Sequence, residues 1–197
     1  MIALEEKLSD DEIKPKNLAL VGRSAGAYLA MRYGYTHYKE SLTPSPIDIS
    51  HIVADVGPTD TTDTDILDLW SAPSGFGQAV YMFLSVLAGV EVTALDDLTT
   101  VPELVAASLS SCVTLNAPPT LLRYAGALDN MVPASHGTVL KNALEAAGHE
   151  KHHLFEFPES PHDLDFNGIP NGISDEELDR YQDYWTTYDW YFNEYMD

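Results

Sequence analysis

Residues 17–30, NLALVGRSAGAYLA, give the clearest indication of the fold, because three structural elements follow one another in this short stretch. Asn17 to Gly22 is an apolar run that follows Pro15, as expected of a strand buried in a parallel sheet. From Ala25 to Tyr38, larger apolar side chains recur among small residues, which predicts a helix. Because little separates the two segments, the stretch predicts a strand, a sharp turn and a helix.

The turn reads Gly22-Arg23-Ser24-Ala25-Gly26, a G-x-S-x-G pattern. A serine nucleophile needs a tight turn that projects its hydroxyl group, with small residues on either side so that strand and helix can approach. The first N–H groups of a helix have no intrahelical partner, so the Ala25 N–H is predicted to stabilise an oxyanion. The alternative is a serine in an ordinary glycine-rich turn or phosphate loop, since glycine is common enough for chance matches.

The rest of the chain alternates between strand and helix patterns. Further strands are predicted at 50–57, 120–126 and 153–157. Helices are predicted at 134–147 and from Ser174 to the C-terminus, and residues 4–11 look like the end of another helix. This alternation predicts an α/β fold with a mostly parallel sheet of about four strands and flanking helices. No repeat or low-complexity linker divides the chain, so residues 1–197 are predicted to form a single domain.

Residues 59–111 interrupt this alternation. The polar run TDTTDTD is followed by two predicted helices, at 77–87 and 102–109. An insertion after a strand is a plausible cap or lid over a site. The alternative is a polar connector with two packing helices.

The C-terminal helix carries two signals. Ser174 with Glu177 three residues later is a capping-box pattern, which predicts the helix start. Aromatic residues recur along the helix at spacings of three and four, so one stripe is predicted to face the sheet or a neighbouring subunit. They are Tyr181, Tyr184, Trp185, Tyr188, Trp190, Tyr191, Phe192 and Tyr195.

The charge balance excludes several classes of partner. The 197 residues include 31 acidic and 10 basic ones, a formal net charge of −21. Such a surface repels nucleic-acid phosphates and anionic lipids, so neither nucleic acid nor membrane is an expected partner. No signal-peptide pattern opens the sequence, and cytoplasmic localisation is predicted. The single cysteine, Cys112, excludes an internal disulfide and is interpreted as a buried small side chain.

A serine hydroxyl needs a base to remove its proton and an acid to orient that base. Asp129 follows the third predicted strand and His162 follows the fourth, so both are expected at the edge of the sheet that carries Ser24. The order Ser, Asp, His is one that hydrolases with this kind of turn use. Asp60, after the second strand, is an alternative acid. No metal site is predicted, because the neighbouring residues His152 and His153 would point to opposite faces of a strand.

Four segments in order resemble the second half of bacterial α/β-hydrolases, particularly carboxylesterases and lipases related to hormone-sensitive lipase. They are NLALVGRSAGAYLA at 17–30, HIVADVGPTD at 51–60, APPTLLRYAGALDNMVP at 117–133 and FPESPH at 157–162. The resemblance covers roughly residues 10–165. It implies that Ser24 is the nucleophile, Asp129 the triad acid and His162 the general base, with no cofactor and a small-molecule ester as substrate.

The sequence departs from that family in two ways. Asp163 stands where the family has glycine after the catalytic histidine. The strands and the HGGG-type oxyanion loop that the family carries before the nucleophile are absent from the 197 residues. The resemblance therefore implies a partial α/β-hydrolase fold with an open edge on strand 17–22. We expect a homo-oligomer or a separately encoded N-terminal half to cover that edge.

Two functions follow from this reading. The first is a serine hydrolase that cleaves small carboxylic esters through an acyl-enzyme. The second is a non-catalytic remnant or assembly subunit that lacks a complete oxyanion hole, since loss of one donor typically costs about a hundred- to thousandfold in rate.

Overall fold

The computed structural model describes residues 15–71, 79–93, 101–165 and 169–196, so the predicted helix at 4–11 lies outside the described residues. The elements follow one another as β1 (Asn17–Arg23), α1 (Ala25–Thr36), β2 (Asp48–Asp55), α2 (Thr64–Ser71), α3 (Ala79–Ala88), α4 (Pro102–Ala107), a 3₁₀ turn (Leu109–Ser111), β3 (Thr120–Ala125), α5 (Ser135–Ala146), β4 (His152–Phe157) and α6 (Asp175–Tyr195).

The four strands form one parallel sheet in the order β1-β2-β3-β4. The predicted fold class, an α/β architecture with about four parallel strands and flanking helices, is confirmed. Helix α2 was not predicted, because the polar run before it dominates the sequence pattern. That helix is only eight residues long, and Asp63 Oδ1 caps its start by accepting a hydrogen bond of 2.8 Å from the Asp65 N–H.

Each face of the sheet carries its own hydrophobic core. Strand side chains alternate between the faces, so Ile52 and Leu122 pack toward α1 and α5, whereas Val53 and Leu121 pack toward α6. β3 is buried along its whole length because helices cover both of its faces. Residues between β2 and β3, including α3 and α4, join the first core. The cap role of this insertion stays a prediction.

The C-terminal helix begins where the capping pattern placed it, but the cap differs from a capping box. Ser174 Oγ accepts a hydrogen bond of 3.2 Å from the Glu177 N–H, as predicted. A capping box also predicts that the Ser174 N–H donates to the Glu177 side chain, and this part of the prediction is wrong. The Ser174 N–H instead donates to the Glu159 carboxylate at 2.8 Å. The Glu177 carboxylate is buried and accepts hydrogen bonds from the Glu159 N–H and the Ser160 hydroxyl instead. The start of α6 is therefore tied to the loop after β4.

The aromatic stripe of α6 faces the sheet, as predicted. Tyr181, Tyr184 and Tyr191 are fully buried against β2, β3 and β4, whereas Trp185 and Trp190 stay more than two-fifths exposed. None of the described helices has the length and apolar character needed to cross a membrane.

His51 gives this packing a pH dependence. Its ring is fully buried against Tyr191, Phe192 and Tyr195, and burial lowers the pKa of His51 to about 4. The ring is neutral in the folded chain but has a pKa of about 6.5 when unfolded. Its contribution to stability is therefore present above pH 6.5 and is lost as the pH falls toward 4.

We expect His51→Leu to flatten the pH dependence of unfolding by removing at most about 3 kcal/mol of acid destabilisation. Urea unfolding of both proteins at several pH values between 7 and 4 measures the difference. Parallel pH curves for the two proteins would show that His51 does not titrate during unfolding.

The β1 edge of the sheet has no partner strand among the described residues. Val21 on β1 is 57% exposed, and Leu29 on α1 is 61% exposed. An unpaired apolar edge favours pairing with another chain. The homo-oligomer or separately encoded half that we expect to cover this edge stays a prediction.

We expect the purified chain to form dimers or larger assemblies in light scattering, and Val21→Lys to shift it toward monomer, because a charged edge residue opposes strand pairing. Leu42→Lys is the matched control, since Leu42 is fully exposed away from the sheet. A wild-type chain that stays monomeric at all concentrations would rule out self-association through this edge.

Candidate active site

Ser24 stands on a strained turn between β1 and α1. Its backbone has φ 51° and ψ −125°, a conformation that residues other than glycine rarely adopt. The Ser24 N–H donates a 2.8 Å hydrogen bond to the carbonyl oxygen of Asp55, the last residue of β2, and the Ser24 carbonyl begins the hydrogen bonding of α1. Strain of this kind costs about 1–3 kcal/mol and persists where the surroundings enforce it. The turn projects the hydroxyl at the carboxyl edge of the sheet.

The two glycines of the turn have different surroundings. A Cβ atom at Gly22 would lie 2.2 Å from the Gly26 carbonyl oxygen, which is the close approach of strand and helix that the sequence predicted. At Gly26 the predicted crowding is wrong, because a Cβ atom there would meet no atom of the described residues within 4 Å. Gly26 is exposed, as is Leu29 three residues further along α1.

We expect Gly22→Ala to destabilise the fold by about 3 kcal/mol or more, since the backbone of α1 has to move. Gly26→Ala is the matched control and should leave the free energy of unfolding within about 1 kcal/mol of wild type, because alanine favours a helix. Chemical unfolding of both variants provides the test, and equal losses would contradict the packing described.

Asp129 lies in the loop after β3, with its side chain fully buried. The Asp129 Oδ1 atom accepts hydrogen bonds from the backbone N–H groups of Met131 and Val132, at 2.8 and 2.9 Å. A carboxylate that accepts hydrogen bonds from two backbone N–H groups has a fixed orientation. The loop therefore presents an ordered carboxylate at the sheet edge.

His162 lies in the loop after β4, and packing between loops brings it to Asp129. A Cβ atom on Gly126 would come within 2.3 Å of Pro158, so the two loops run in direct backbone contact. A bridge between Leu128 and Pro161 continues this pairing up to the residues that flank Asp129 and His162. Gly126 is thus required for the close approach of the two loops.

The three predicted side chains form one hydrogen-bonded chain. His162 Nδ1 lies 3.0 and 2.9 Å from the two carboxylate oxygens of Asp129, and His162 Nε2 lies 3.1 Å from Ser24 Oγ. With the ring proton on Nδ1, the histidine donates to Asp129 and accepts from the serine hydroxyl. Such a chain can withdraw the serine proton and return it to a leaving group.

Two arginines make contacts near this site that were not predicted from the sequence. Arg23 Nη2 donates a 2.8 Å hydrogen bond to the His162 carbonyl oxygen, so the turn of the nucleophile holds the loop of the base. Arg123 in β3 pairs with Asp55 and with Asp165. A signal for the second contact was available, because an arginine within the apolar strand TLLRYA is buried only when paired.

Asp60, the alternative acid, makes its side-chain hydrogen bonds with residues other than His162. Its Oδ1 atom accepts hydrogen bonds from Thr62 and Ser108, whereas both Asp129 oxygens lie within hydrogen-bond distance of the His162 ring. Burial acts to raise the pKa of Asp60, but the hydrogen bonds from Thr62 and Ser108 outweigh it and lower that pKa. The Asp60 carboxylate thus orders the start of the insertion.

Other histidines lie away from the chain of Ser24, His162 and Asp129. His136 is fully buried, and its Nδ1 atom accepts a hydrogen bond of 2.9 Å from the Thr59 N–H. His152 contacts the His149 carbonyl oxygen while His153 contacts Tyr191 of α6, so the two point to opposite faces of β4 as predicted. Within the described ranges, no group of three or more His, Cys, Asp or Glu is arranged to hold a metal ion.

A cavity of about 630 Å³ opens at the other end of the sheet, where the strands begin. Its lining includes residues 115–119 and 148–151, and none of Ser24, Asp129 or His162. The candidate site is therefore defined by the hydrogen-bonded chain and not by this cavity.

The parallel sheet, the strained serine turn and the loops after β3 and β4 are features of the α/β-hydrolase fold. No protein-family model matches the sequence, and neither does any curated protein sequence.

Solved structures share the fold. The chain is similar to a truncated form of a carbohydrate esterase from gut microbiota, with 19% identity, a TM-score of 0.59, and coverage of 93% of this chain and 64% of that one. It is also similar to a thermophilic esterase from the Planctomycetes species Thermogutta terrifontis, with 18% identity, a TM-score of 0.56, and coverage of 97% of this chain and 60% of that one. An acylaminoacyl peptidase from Pyrococcus horikoshii has 13% identity and a TM-score of 0.65, with coverage of 98% of this chain and 26% of the peptidase. The chain thus spans less than two thirds of the length of each.

Proposed function

We propose that the protein is a serine hydrolase that cleaves small carboxylic esters through an acyl-enzyme. The observation that carries the proposal is the chain of hydrogen bonds from Ser24 Oγ through the His162 ring to Asp129, with distances of 2.9–3.1 Å. Hydroxyl, imidazole and buried carboxylate in this order form the constellation that activates a serine. Similarity in fold to esterases supports the same class.

In the proposed reaction, Ser24 Oγ attacks the carbonyl carbon of the ester while His162 Nε2 takes the hydroxyl proton. Asp129 stabilises the imidazolium ion that forms and keeps the ring in place. His162 then protonates the departing alkoxide, which leaves an acyl group on Ser24. A water molecule that loses its proton to His162 attacks the acyl group, and the carboxylic acid and free serine result.

Ala25 is the proposed donor to the oxyanion. It is the first residue of α1, so its N–H belongs to the helix turn that has no intrahelical acceptors and lies next to the nucleophile. One donor alone supports a lower rate than two, by about a hundred- to thousandfold. We therefore expect slow turnover for the isolated chain, with a measurable acylation step.

Small acyl esters, including those of sugars, are the substrates that we propose to test first. One similar structure is described as a carbohydrate esterase and another as an acetyl ester-xyloside bifunctional hydrolase. An acylaminoacyl peptidase shares the fold as well, so an acyl amide belongs in the same panel. We expect ester cleavage to exceed amide cleavage, because an amide carbonyl is less reactive toward a nucleophile than an ester carbonyl.

The proposal is tested by mixing the pure chain with p-nitrophenyl acetate and measuring intact mass and p-nitrophenol together. We expect a burst of p-nitrophenol that approaches one per chain, followed by slow turnover, with the acetyl group on Ser24. The same experiment on Ser24→Ala should give neither burst nor acetylation. A wild-type chain that behaves like the variant would instead support the non-catalytic remnant.

A further inference from the structure

A buried arginine lies beside the site without belonging to the chain of Ser24, His162 and Asp129. The side chain of Arg123 is 7% exposed, and those of its partners Asp55 and Asp165 are 14% and 10% exposed. Arg123 donates from Nε and Nη2 to the two oxygens of Asp55, at 3.1 and 2.5 Å. It donates from Nη1 to Asp165 at 2.8 Å. One guanidinium thus binds carboxylates from two separate segments.

Each of these segments carries part of the site. Asp55 is the residue whose carbonyl oxygen accepts the Ser24 N–H, at 2.8 Å. Asp165 comes three residues after His162 in the same loop. Arg123 therefore connects the backbone support of the nucleophile to the loop that bears the base.

The two partners of Arg123 also flank strained backbone. Val56, next to Asp55, and Leu164, next to Asp165, both have φ 46°. Apart from Ser24, they are the only non-glycine residues with positive φ in the part of the chain that the structure describes. Positive φ is unfavourable for bulky side chains and persists where other contacts enforce it. The bonds of Arg123 to the neighbouring carboxylates are such contacts, and the Arg123 carbonyl oxygen accepts the Val56 N–H at 2.7 Å.

Helix α6 completes the surroundings of the arginine. The Tyr184 hydroxyl donates to Asp55 at 3.3 Å, and the Trp185 Nε1–H donates to Asp165 at 3.2 Å. The guanidinium carbon lies 4.3 Å from the centre of the Tyr184 ring. Burial acts to lower the pKa of Arg123, but Asp55 and Asp165 raise it above its ordinary value, so the group stays charged. Both carboxylates are thus held from two directions.

We propose that Arg123 is a positioning residue that, through Asp55 and Asp165, sets the placement of His162 relative to Ser24. A buried ion pair often adds little stability compared with apolar packing, whereas its directional bonds can fix one geometry. Catalysis is sensitive to that geometry, because a displacement of about 1 Å in a reacting group can cost about 100-fold in rate. The expected effect of this placement on the catalytic rate rests on the proposed function.

Asp165→Ala removes the ion pair between Arg123 and the loop that carries His162. It leaves the Arg123–Asp55 pair intact, so no unpaired charge is buried and the chain should fold. Asp165→Asn keeps an oxygen that can accept the bond from Arg123 Nη1 and should rescue much of the loss. Glu176→Ala is the matched control, since it removes a carboxylate that pairs with an arginine on the exposed side of α6, Arg180 at 2.5 Å.

The experiment measures kcat and KM on p-nitrophenyl acetate, normalised to folded protein, together with hydrogen exchange of residues 158–165. For Asp165→Ala we expect kcat to fall about 100-fold, KM to stay within about threefold, and exchange in this segment to rise. Asp165→Asn should lie closer to wild type, and Glu176→Ala should match it in both measurements.

The outcomes separate this inference from the proposed function. Turnover by wild type that Asp165→Ala retains within threefold would overturn the positioning role and leave the hydrolase proposal intact. Without turnover by wild type, the hydrolase proposal fails, and hydrogen exchange decides the positioning role by itself. Unchanged exchange of residues 158–165 in Asp165→Ala would then overturn it.

Discussion

Ser24→Ala is expected to lower kcat/KM for a short-chain ester by about 10⁴-fold or more. The Ser24 hydroxyl is the atom that lies 3.1 Å from His162 Nε2, and alanine offers no group that could attack the ester. Removal of the nucleophile from such a constellation leaves only what binding and the oxyanion donor contribute. The variant should keep the unfolding midpoint of wild type within a few degrees, because only one oxygen is lost.

Ser111→Ala is the matched control for this prediction, since Ser111 is exposed and hydrogen-bonds only locally, with the Ala106 and Ser108 carbonyl oxygens and with Cys112 Sγ. It should keep full activity. Hydrolysis by Ser24→Ala at the wild-type rate would assign the activity to another group or to a contaminant.

Asp129→Asn is expected to have the second largest effect, a loss of about 10⁴-fold in kcat with little change in fold. The amide preserves the shape of the side chain, and its oxygen can still accept from the Met131 and Val132 N–H groups. It cannot stabilise the imidazolium ion of His162, and it permits the wrong tautomer of the ring. Steady-state kinetics and circular dichroism of the purified variant provide the measurement.

Asp60→Asn is the matched control for the second prediction. Its carboxylate accepts bonds from Thr62 and Ser108, and the variant should keep kcat within several-fold of wild type. The reverse pattern, with activity lost in Asp60→Asn and kept in Asp129→Asn, would contradict the assignment of the acid.

Local patterns predicted the part of the molecule that depends on nearby residues. The strand, turn and helix around Ser24 are encoded within residues 17–30, and each of the four strands was located to within about two residues. The meeting of Asp129 and His162 with Ser24 was predictable as well, because loops after parallel strands gather at one edge of the sheet.

Contacts between distant segments were beyond sequence reasoning because they depend on side-chain direction. Arg23 reaches the carbonyl oxygen of His162, 139 residues away, and no spacing rule links the two. Glu177 was expected to close a capping box, but Glu159, from the loop after β4, binds the Ser174 N–H instead. Gly26 looks equivalent to Gly22 in the motif, whereas only Gly22 meets crowding in the structure.

Labelling with a fluorophosphonate probe shows whether Ser24 is activated, because phosphonylation requires an activated serine and does not require complete turnover. For the folded wild-type chain we predict labelling of Ser24 alone, at about one probe per chain. Ser24→Ala should remain unlabelled, and His162→Gln should react far more slowly. If the folded wild-type chain resists the probe, or if Ser24→Ala is labelled equally well, Ser24 is not the activated nucleophile.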